Sequence, residues 1–197
     1  MNRLVCIVEG EGEVTAIPNL CARVMNHLGV EGWIVDKNPI LRHRSTLVDG
    51  RRPGPKRPCR EEGVLRALQM ALARQANAVL MLCDEDDDCA ATWGPDATAV
   101  MSRRVSGMAV MAVREYETWL LLARDDSSLR AAGLLHPEKI RDAKKALAAL
   151  VPGYLPTTHQ LSETRGIDVS LLRSRSKSFD KLVRSIAALC GAPAQGA

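Results

Sequence analysis

Three short, almost wholly apolar runs do most to constrain how this chain can fold. They are RLVCIV at 3–8, ANAVLMLC at 76–83 and GMAVMAV at 107–113. Runs of this length with no polar alternation are typical of strands that are buried on both faces of a sheet. Because each run is followed by a segment with helical spacing, the chain predicts an α/β fold with a parallel sheet.

The segments between these runs complete the prediction. EGWIVD at 31–36 predicts one further strand, which gives a mostly parallel, four-stranded sheet with helices on both faces. We expect this core to occupy 1–124, with a basic loop insert at 37–60 and a helical C-terminal extension at 125–197 packed on the core. The predicted helices lie at 14–28, 61–76, 95–105, 114–123, 137–150 and 177–190.

Carboxylates follow three of the predicted strands. Glu9 closes the first strand, within EGEGE; DEDDD at 84–88 follows the third, and Glu115 and Glu117 follow the fourth. The carboxyl ends of parallel strands lie at one edge of a sheet, where ligands bind in open α/β folds. Oxygen ligands of this kind favour one or two Mg²⁺ or Mn²⁺ ions. The alternative is that acids in turns are solvated.

The individual acids are not equivalent in this prediction. Asp84 and Asp86 would point to the same side of an extended chain, which suits two carboxylates on one ion. Glu13 lies at a helix start, where it serves either as a ligand or as a favourable charge for the helix dipole. We expect Glu11 to be solvated.

Positive charge is concentrated in two stretches, although the net charge is only +4. Separation of basic stretches from acidic clusters suits a polyanion held near a metal site; the alternative is two solvated basic loops. The candidate nucleic-acid-binding residues are Arg42, Arg44, Arg51, Arg52, Lys56, Arg57, Arg175 and Lys177.

Other classes of protein are excluded by what the sequence lacks. It has no Walker A phosphate loop and no Gly-x-Gly-x-x-Gly, and its histidines are scattered. Aromatic residues are too few for a base-stacking platform. With no signal peptide and no membrane-spanning run, the six cysteines favour a reduced, cytoplasmic protein with no membrane partner.

VEGEGE after the first strand and CDEDDDC after the third resemble the two signatures of the Toprim fold. Glu9-Gly10 matches the first, Asp84-x-Asp86 matches the second, and Glu13 matches a further acid of OLD-family nucleases. AVREYETWLLLA and the late SKSFDK are similar to segments of short, stand-alone Toprim-like proteins that neighbour ABC- or SMC-type ATPases in phage defence. One departure is Gly12, where Thr or Ser is usual.

The resemblance implies Mg²⁺- or Mn²⁺-dependent phosphodiester hydrolysis on DNA or RNA, by an endonuclease or nickase subunit that a partner ATPase regulates. It implies that the catalytic residues are Glu9, Asp84, Asp86 and Lys181, and that the metal ligands are Glu9, Glu13, Asp84, Asp86, Glu115 and Glu117. A homodimer is compatible with it. Two alternatives stay open: a non-catalytic Toprim-like module that binds an ATPase or nucleic acid, and a receiver-like phosphoacceptor with Asp84 as the acceptor.

Overall fold

The protein has an α/β fold built on a parallel sheet. The computed structural model describes residues 1–49 and 58–192. Its strands run in the spatial order β2-β1-β4-β5, and β3 pairs with the end of β1 beyond β2; all of these pairs are parallel. The strands are β1 (Asn2–Val8), β2 (Trp33–Val35), β3 (Ile40–Leu41), β4 (Ala78–Asp84) and β5 (Ser106–Ala112).

Helices cover both faces of this sheet. In the described ranges they are α1 (Glu13–His27), α2 (Arg44–Leu47), α3 (Glu61–Ala73), α4 (Ala90–Ser102), α5 (Tyr116–Leu122), α6 (Asp126–Ala131), α7 (Ala143–Ala148), α8 (Pro156–Arg165), α9 (Val169–Arg175) and α10 (Lys177–Cys190), with a 3₁₀ turn at Pro137–Lys139. In the described part of the chain, no helix is long and apolar enough to cross a membrane.

Alternate residues of each central strand enter two separate cores. Leu4, Cys6 and Val8 of β1 join the core shared with α1, α5, α6, α7, α9 and α10, whereas Val5 and Ile7 join the core shared with α2, α3 and α4. The strands are therefore buried on both faces, which explains why their sequences are continuously apolar. The predicted α/β class and parallel sheet are confirmed.

The stretch 37–60 contains more regular structure than a loop. Ile40 and Leu41 form β3, and the short helix α2 follows, with Leu47 fully buried. The sheet thus has five strands rather than four, because Ile40 is apolar enough to pair with Ile7 in β1 inside a basic stretch. Four predicted nucleic-acid-binding residues, Arg51, Arg52, Lys56 and Arg57, lie outside the described residues.

Two helix predictions were wrong in their bounds. The predicted helix at 137–150 is a 3₁₀ turn followed by α7, whose start is capped by the Asp142 carboxylate accepting from the Lys145 amide at 2.9 Å. The helix predicted to begin at Pro95 begins at Ala90, so Pro95 is the sixth of its 13 residues and leaves one hydrogen bond of the helix unmade.

The C-terminal helices pack on the sheet through the SKSFDK motif, which contains the predicted catalytic residue Lys181. In SKSFDK, the Ser176 side chain caps α10, and the Ser178 hydroxyl accepts a hydrogen bond from the Trp119 indole at 2.9 Å. The Phe179 ring packs edge-on against Trp119, with centroids 5.3 Å apart. These contacts fix α10 against α5 and β5, so the motif has a structural explanation.

Candidate functional site

The carboxyl ends of β1, β4 and β5 bring four acidic side chains together. Asp84 is the last residue of β4 and pairs with Ala112 of β5, while Glu9 directly follows β1. Glu13 begins α1, and Glu117 lies in the first turn of α5. We call Glu9, Glu13, Asp84 and Glu117 the buried acid cluster.

Glu13 is held by the backbone of the turn that precedes its helix. Its Oε2 accepts hydrogen bonds from the amides of Gly10 at 2.9 Å and Glu9 at 3.2 Å. A Cβ at position 10 would lie 3.0 Å from the Glu13 Oε1, and a Cβ at position 12 would lie 2.4 Å from the Gln160 Oε1. A side chain at position 12 would clash with α8, which lies against it, whereas one at position 10 would require only a small shift of the Glu13 carboxylate.

Asp84 and Glu117 are held by neighbouring groups at one oxygen each. The Asp84 Oδ1 accepts from the Tyr116 amide at 2.8 Å. The Glu117 Oε1 accepts from the Tyr154 hydroxyl at 3.1 Å and from the Gln160 amide at 3.3 Å. Within the residues described, the second oxygen of Glu117, Oε2, is buried and has no hydrogen-bond partner. A buried carboxylate oxygen without a partner is costly unless a cation meets it.

The pKa values of all four carboxyls are raised. Burial is the main cause in each case, and it raises the pKa of Glu13 to about 7. The pKa of Asp84 lies well above its ordinary value because it is buried and because Glu13, Glu9 and Glu117 repel its charge. The cluster therefore favours either bound protons or an additional positive charge.

Lys144 of α7 partly supplies that charge. Burial would lower the pKa of Lys144, but the charges of Glu117, Asp84, Glu115 and Glu13 raise it overall. In the ranges described, Lys144 makes no ion pair within 4.0 Å, so it acts on the acids across a longer distance. Glu115 is engaged differently, because its Oε2 accepts from the Lys144 backbone amide at 3.1 Å.

Arg44 lies among a second set of acids on the other side of the same edge. Its Nη1 donates to the Glu9 Oε2 at 3.2 Å, its Nη2 donates to the Asp88 Oδ2, and its Nε lies 3.5 Å from the Asp86 Oδ2. It also donates to the backbone carbonyls of Asp84 and Glu85. Its side chain is only 21% exposed. Arg44, predicted to bind nucleic acid, therefore neutralises acids in this structure.

Asp86 is separated from Asp84 by the turn that follows β4. Its φ is 49°, so the chain leaves the extended conformation in which the two side chains would point the same way. Arg114 has a φ of 61°, and its carbonyl accepts from the Asp86 amide at 2.9 Å. Asp86 and Arg114 therefore both have a left-handed backbone conformation, although neither is glycine. Such residues carry backbone strain, which is common at functional sites.

The turn after β4 borders an open cavity of about 350 Å³. The Asp87 carboxylate lies 3.4 Å from the Arg114 Nη1 and 2.5 Å from the Arg141 Nη2. The cavity is lined by Arg44, Asp86, Asp87, Asp88, Arg114 and Arg141. Both signs of charge thus meet in a cavity beside the buried acid cluster.

The donors of the buried acid cluster suit a hard divalent cation. Carboxylate oxygens are the ligands that Mg²⁺ and Mn²⁺ prefer, and the unpartnered Glu117 oxygen and the raised pKa values both indicate a deficit of positive charge. As the side chains stand in the described ranges, no three His, Cys, Asp or Glu side chains converge closely enough to hold an ion. Glu9 is turned to Arg44, and Glu13 is turned to the Gly10 amide.

Several predicted residues are not brought to this edge. A Cβ at Gly94 would lie 3.0 Å from the Lys181 Nζ and 3.4 Å from the Ala109 carbonyl, which places Lys181 beside the middle of β5. Arg175 donates to the carbonyls of Leu122 and Arg124, so its role is structural.

The two remaining candidates of the nucleic-acid set lie on the surface or against other elements. Lys177 is exposed in the first turn of α10. The Arg42 side chain is directed to α3, where its Nη2 lies 3.2 Å from the Met70 sulfur.

Sequence reasoning missed the residues that the C-terminal extension contributes. Lys144, Tyr154 and Gln160 all act on the buried acid cluster, yet they lie in segments with no motif. Tyr154 lies in the connection between α7 and α8, and Gln160 lies in the polar helix α8, so no sequence pattern singles out either residue.

Comparison with known proteins identifies a family but no characterised relative. A family model described as a domain of unknown function (DUF4276) matches residues 8–187. No curated protein matches the chain, and no solved structure matches it. The matched range spans both the sheet and the C-terminal helices that contact the acids.

Proposed function

The chain belongs to the DUF4276 family, and we propose that it is a Toprim-like, Mg²⁺- or Mn²⁺-dependent nuclease that hydrolyses phosphodiester bonds in DNA or RNA. One observation carries this proposal. Four carboxyls lie together at the carboxyl edge of a parallel sheet, three of them buried and that of Glu9 partly buried, and one of their oxygens has no partner among the described residues. A purely structural cluster would be expected to satisfy that oxygen.

Asp84, Glu117, Glu9 and Glu13 are the residues that would hold the ion, and Asp86 is a further candidate. When bound, a divalent ion polarises the phosphate and stabilises charge on its oxygens. Glu117 is fixed for this role by Tyr154 and Gln160, and Asp84 is fixed by the Tyr116 amide. Partners that orient a ligand in this way sustain metal affinity.

Two charged side chains are suited to act directly on the substrate. Glu9 lies at the boundary of the cluster, where a raised pKa makes its carboxylate a stronger base toward an attacking water. Lys144 carries a positive charge toward the same acids, and we assign it the stabilisation of charge on the phosphate, in place of Lys181.

The substrate and partner are also part of the proposal. The cavity of about 350 Å³ beside the acids is lined by Arg44, Arg114 and Arg141, whose guanidinium groups match phosphate oxygens, and by Asp86, Asp87 and Asp88, with which these arginines are paired. We propose that nucleic acid enters here and that an ABC- or SMC-like ATPase controls access in defence against foreign nucleic acid. The ATPase rests on the resemblance of the sequence motifs alone.

A non-catalytic module is the second candidate, and Arg44 favours it. Arg44 already forms ion pairs with Glu9, Asp86 and Asp88. In this second candidate, the role of these acids is to hold α2 against the sheet edge. The same fold would then bind an ATPase or nucleic acid without chemistry.

A cleavage assay separates these two candidates. Purified protein is incubated with plasmid DNA and with total RNA in Mg²⁺, Mn²⁺ or EDTA, with and without a candidate partner ATPase. The nuclease proposal predicts cutting that requires the metal, is lost in Glu9→Gln, and is retained in Glu11→Gln, which changes an exposed acid two residues away. Absence of cutting under all of these conditions supports the binding module.

A further inference from the structure

The Arg44 side chain contacts more acceptors than are needed to pair it with one carboxylate. Its guanidinium contacts the side chains of Glu9, Asp86 and Asp88 and the carbonyls of Asp84 and Glu85. These acceptors come from the ends of both β1 and β4. Arg44 therefore occupies the junction between the two strand ends.

Arg44 and a metal ion would compete for the same oxygens. Glu9 is a candidate ligand, but its Oε2 lies 3.2 Å from the Arg44 Nη1, and Asp86 is engaged by the Arg44 Nε. A carboxylate oxygen that coordinates a divalent ion cannot keep a cationic guanidinium against it without strong charge repulsion. Glu9 must therefore exchange one cation for the other.

The element that carries Arg44 is suited to a local movement. α2 has only four residues and Arg44 is its first, so the contacts of its guanidinium, rather than the helix, hold the side chain in position. The end of α2 is anchored separately, because Leu47 is buried and its carbonyl accepts from the Trp93 indole at 3.0 Å. The side chain can swing toward the cavity while the helix stays in place.

When Arg44 leaves these carboxylates, its guanidinium can bind a phosphate in the neighbouring cavity. Its side chain lines the cavity of about 350 Å³, together with Arg114 and Arg141. A guanidinium keeps its charge at any physiological pH and donates two parallel hydrogen bonds to a phosphate. The movement that frees Glu9 and Asp86 for a metal would also free Arg44 for a phosphodiester.

We propose that Arg44 is an exchange residue that couples metal binding to phosphate binding: the divalent ion takes its carboxylates, and a phosphodiester of the nucleic acid takes its guanidinium. This inference rests on the proposed function, because it requires the acids to bind a metal. In the metal-free protein, Arg44 stands in for the ion and offsets part of the negative charge at the strand ends. Metal and phosphate then reinforce each other's binding, since each releases a partner that the other needs.

The test measures Mn²⁺ binding by the loss of the free-ion EPR signal. The variants are Arg44→Gln, which removes the charge but keeps a donor, and Arg44→Ala. Arg103→Ala is the matched control, since it removes an arginine paired with Glu61 on the surface, with 61% of its side chain exposed. Each protein is titrated alone, with a phosphorothioate oligonucleotide, and with an uncharged methylphosphonate oligonucleotide.

Arg44→Gln should bind Mn²⁺ about tenfold more tightly than the wild type, and Arg103→Ala should bind it equally. The phosphorothioate oligonucleotide should tighten Mn²⁺ binding to the wild type by at least about fivefold and should have little effect on either Arg44 variant. The methylphosphonate oligonucleotide should have no effect on any of them.

The outcomes separate this inference from the function on which it rests. If the wild type binds Mn²⁺ and neither Arg44 variant binds it more tightly, the exchange role is wrong and the metal site stands. If no folded variant and no wild type binds Mn²⁺ at millimolar concentration, both are wrong. Thermal melting of each variant with and without Mn²⁺ identifies any protein that fails to fold, and Arg44→Gln then remains as the less disruptive variant.

Discussion

The acids at the carboxyl edge of the sheet fall into two groups that face different cations. We call the group around Arg44 the arginine half and the group near Lys144 the lysine half. In the arginine half, Arg44 contacts Glu9, Asp86 and Asp88 directly. In the lysine half, Glu13, Asp84 and Glu117 are buried more deeply and are affected by Lys144 only from a distance.

The difference between the halves lies in how completely each is satisfied. The acids of the arginine half are paired with Arg44, which opposes the burial that raises the pKa of Glu9, whereas the three acids of the lysine half have raised pKa values and a buried oxygen of Glu117 has no partner in the described residues. A cation from solution therefore gains most in the lysine half, and it reaches the Glu9 oxygen held by Arg44 only when Arg44 is displaced. Acids that look alike in sequence are distinguished by the cation that the tertiary structure brings to them.

The largest expected effect comes from removing one charge of the lysine half. Asp84→Asn should lower the rate of metal-dependent cutting by more than about 100-fold, because loss of a group that merely orients a ligand already costs about 10–100-fold. Asp87→Asn is the matched control, since Asp87 pairs with Arg114 and Arg141 at the surface. Equal cutting rates for Asp84→Asn and Asp87→Asn would contradict different roles for the buried and the exposed acids.

Tyr154→Phe should have the next largest effect. It removes the hydroxyl that donates to Glu117 while keeping the ring, so metal affinity should fall by about 10–100-fold. Tyr116→Phe is the control, because the Tyr116 hydroxyl bonds to Thr164 rather than to an acid. Isothermal titration with Mn²⁺ measures both, and unchanged affinity in Tyr154→Phe would show that Glu117 does not hold the ion.

The metal-free protein should lose stability as the pH rises toward neutrality. The pKa of Glu13 is raised to about 7 from 4.5, and those of Glu9, Asp84 and Glu117 are raised too. Acids with a raised pKa in the folded state contribute most stability below their unfolded pKa, and this contribution is lost as the pH rises through the folded pKa. Each 1 kcal/mol lost lowers the melting temperature by roughly 2–4 °C.

Thermal melts in EDTA at pH 6 and pH 8 test this dependence. The melting temperature should be several degrees lower at pH 8, and saturating Mg²⁺ should remove most of that difference, because a bound cation favours the ionised carboxylates. Glu13→Gln should flatten the dependence, and Glu11→Gln should leave it intact. A metal-free protein that is equally stable at both pH values would contradict the raised pKa values.

The smallest effect is expected at Lys181. Its Nζ lies near the Ala109 carbonyl, and Ala109 precedes the end of β5 by three residues, or about 10 Å. Lys181→Ala should therefore change the cutting rate by less than about twofold, whereas Lys144→Ala should lower it by about tenfold or more. A large loss in Lys181→Ala with an unchanged Lys144→Ala would restore the role that the sequence motif gave to Lys181.

Much of the fold could be predicted because it depends on local pattern. Buried parallel strands need continuous apolar sequence, so RLVCIV, ANAVLMLC and GMAVMAV were sufficient to find β1, β4 and β5. The meeting of Glu9 with Asp84 then followed from the geometry of parallel strands. β3 could not be predicted in this way, because two apolar residues in a basic stretch form a strand only when β1 is there to pair with them.

The cations of the site could not be predicted, because their positions depend on tertiary contacts. Arg44 looked like any other residue of a basic stretch, and only the folding of α2 against the strand ends places it among acids. Lys144 lies in α7 and Tyr154 lies in the connection between α7 and α8, and the packing of these segments near α5 has no signature in sequence. Conversely, SKSFDK looked functional because a capping serine, a packed aromatic ring and a lysine happen to adjoin there.

Divalent-ion binding through Glu117 tests the central claim most directly. Mn²⁺ titrations of the wild type, Glu117→Gln and Glu11→Gln compare a buried acid that has an unpartnered oxygen with an exposed acid nearby. The account predicts that the wild type and Glu11→Gln bind Mn²⁺ equally, and that Glu117→Gln, folded by its melting curve, binds it at least about tenfold more weakly. Binding of equal strength in all three, or in none, would contradict a metal site at this edge of the sheet.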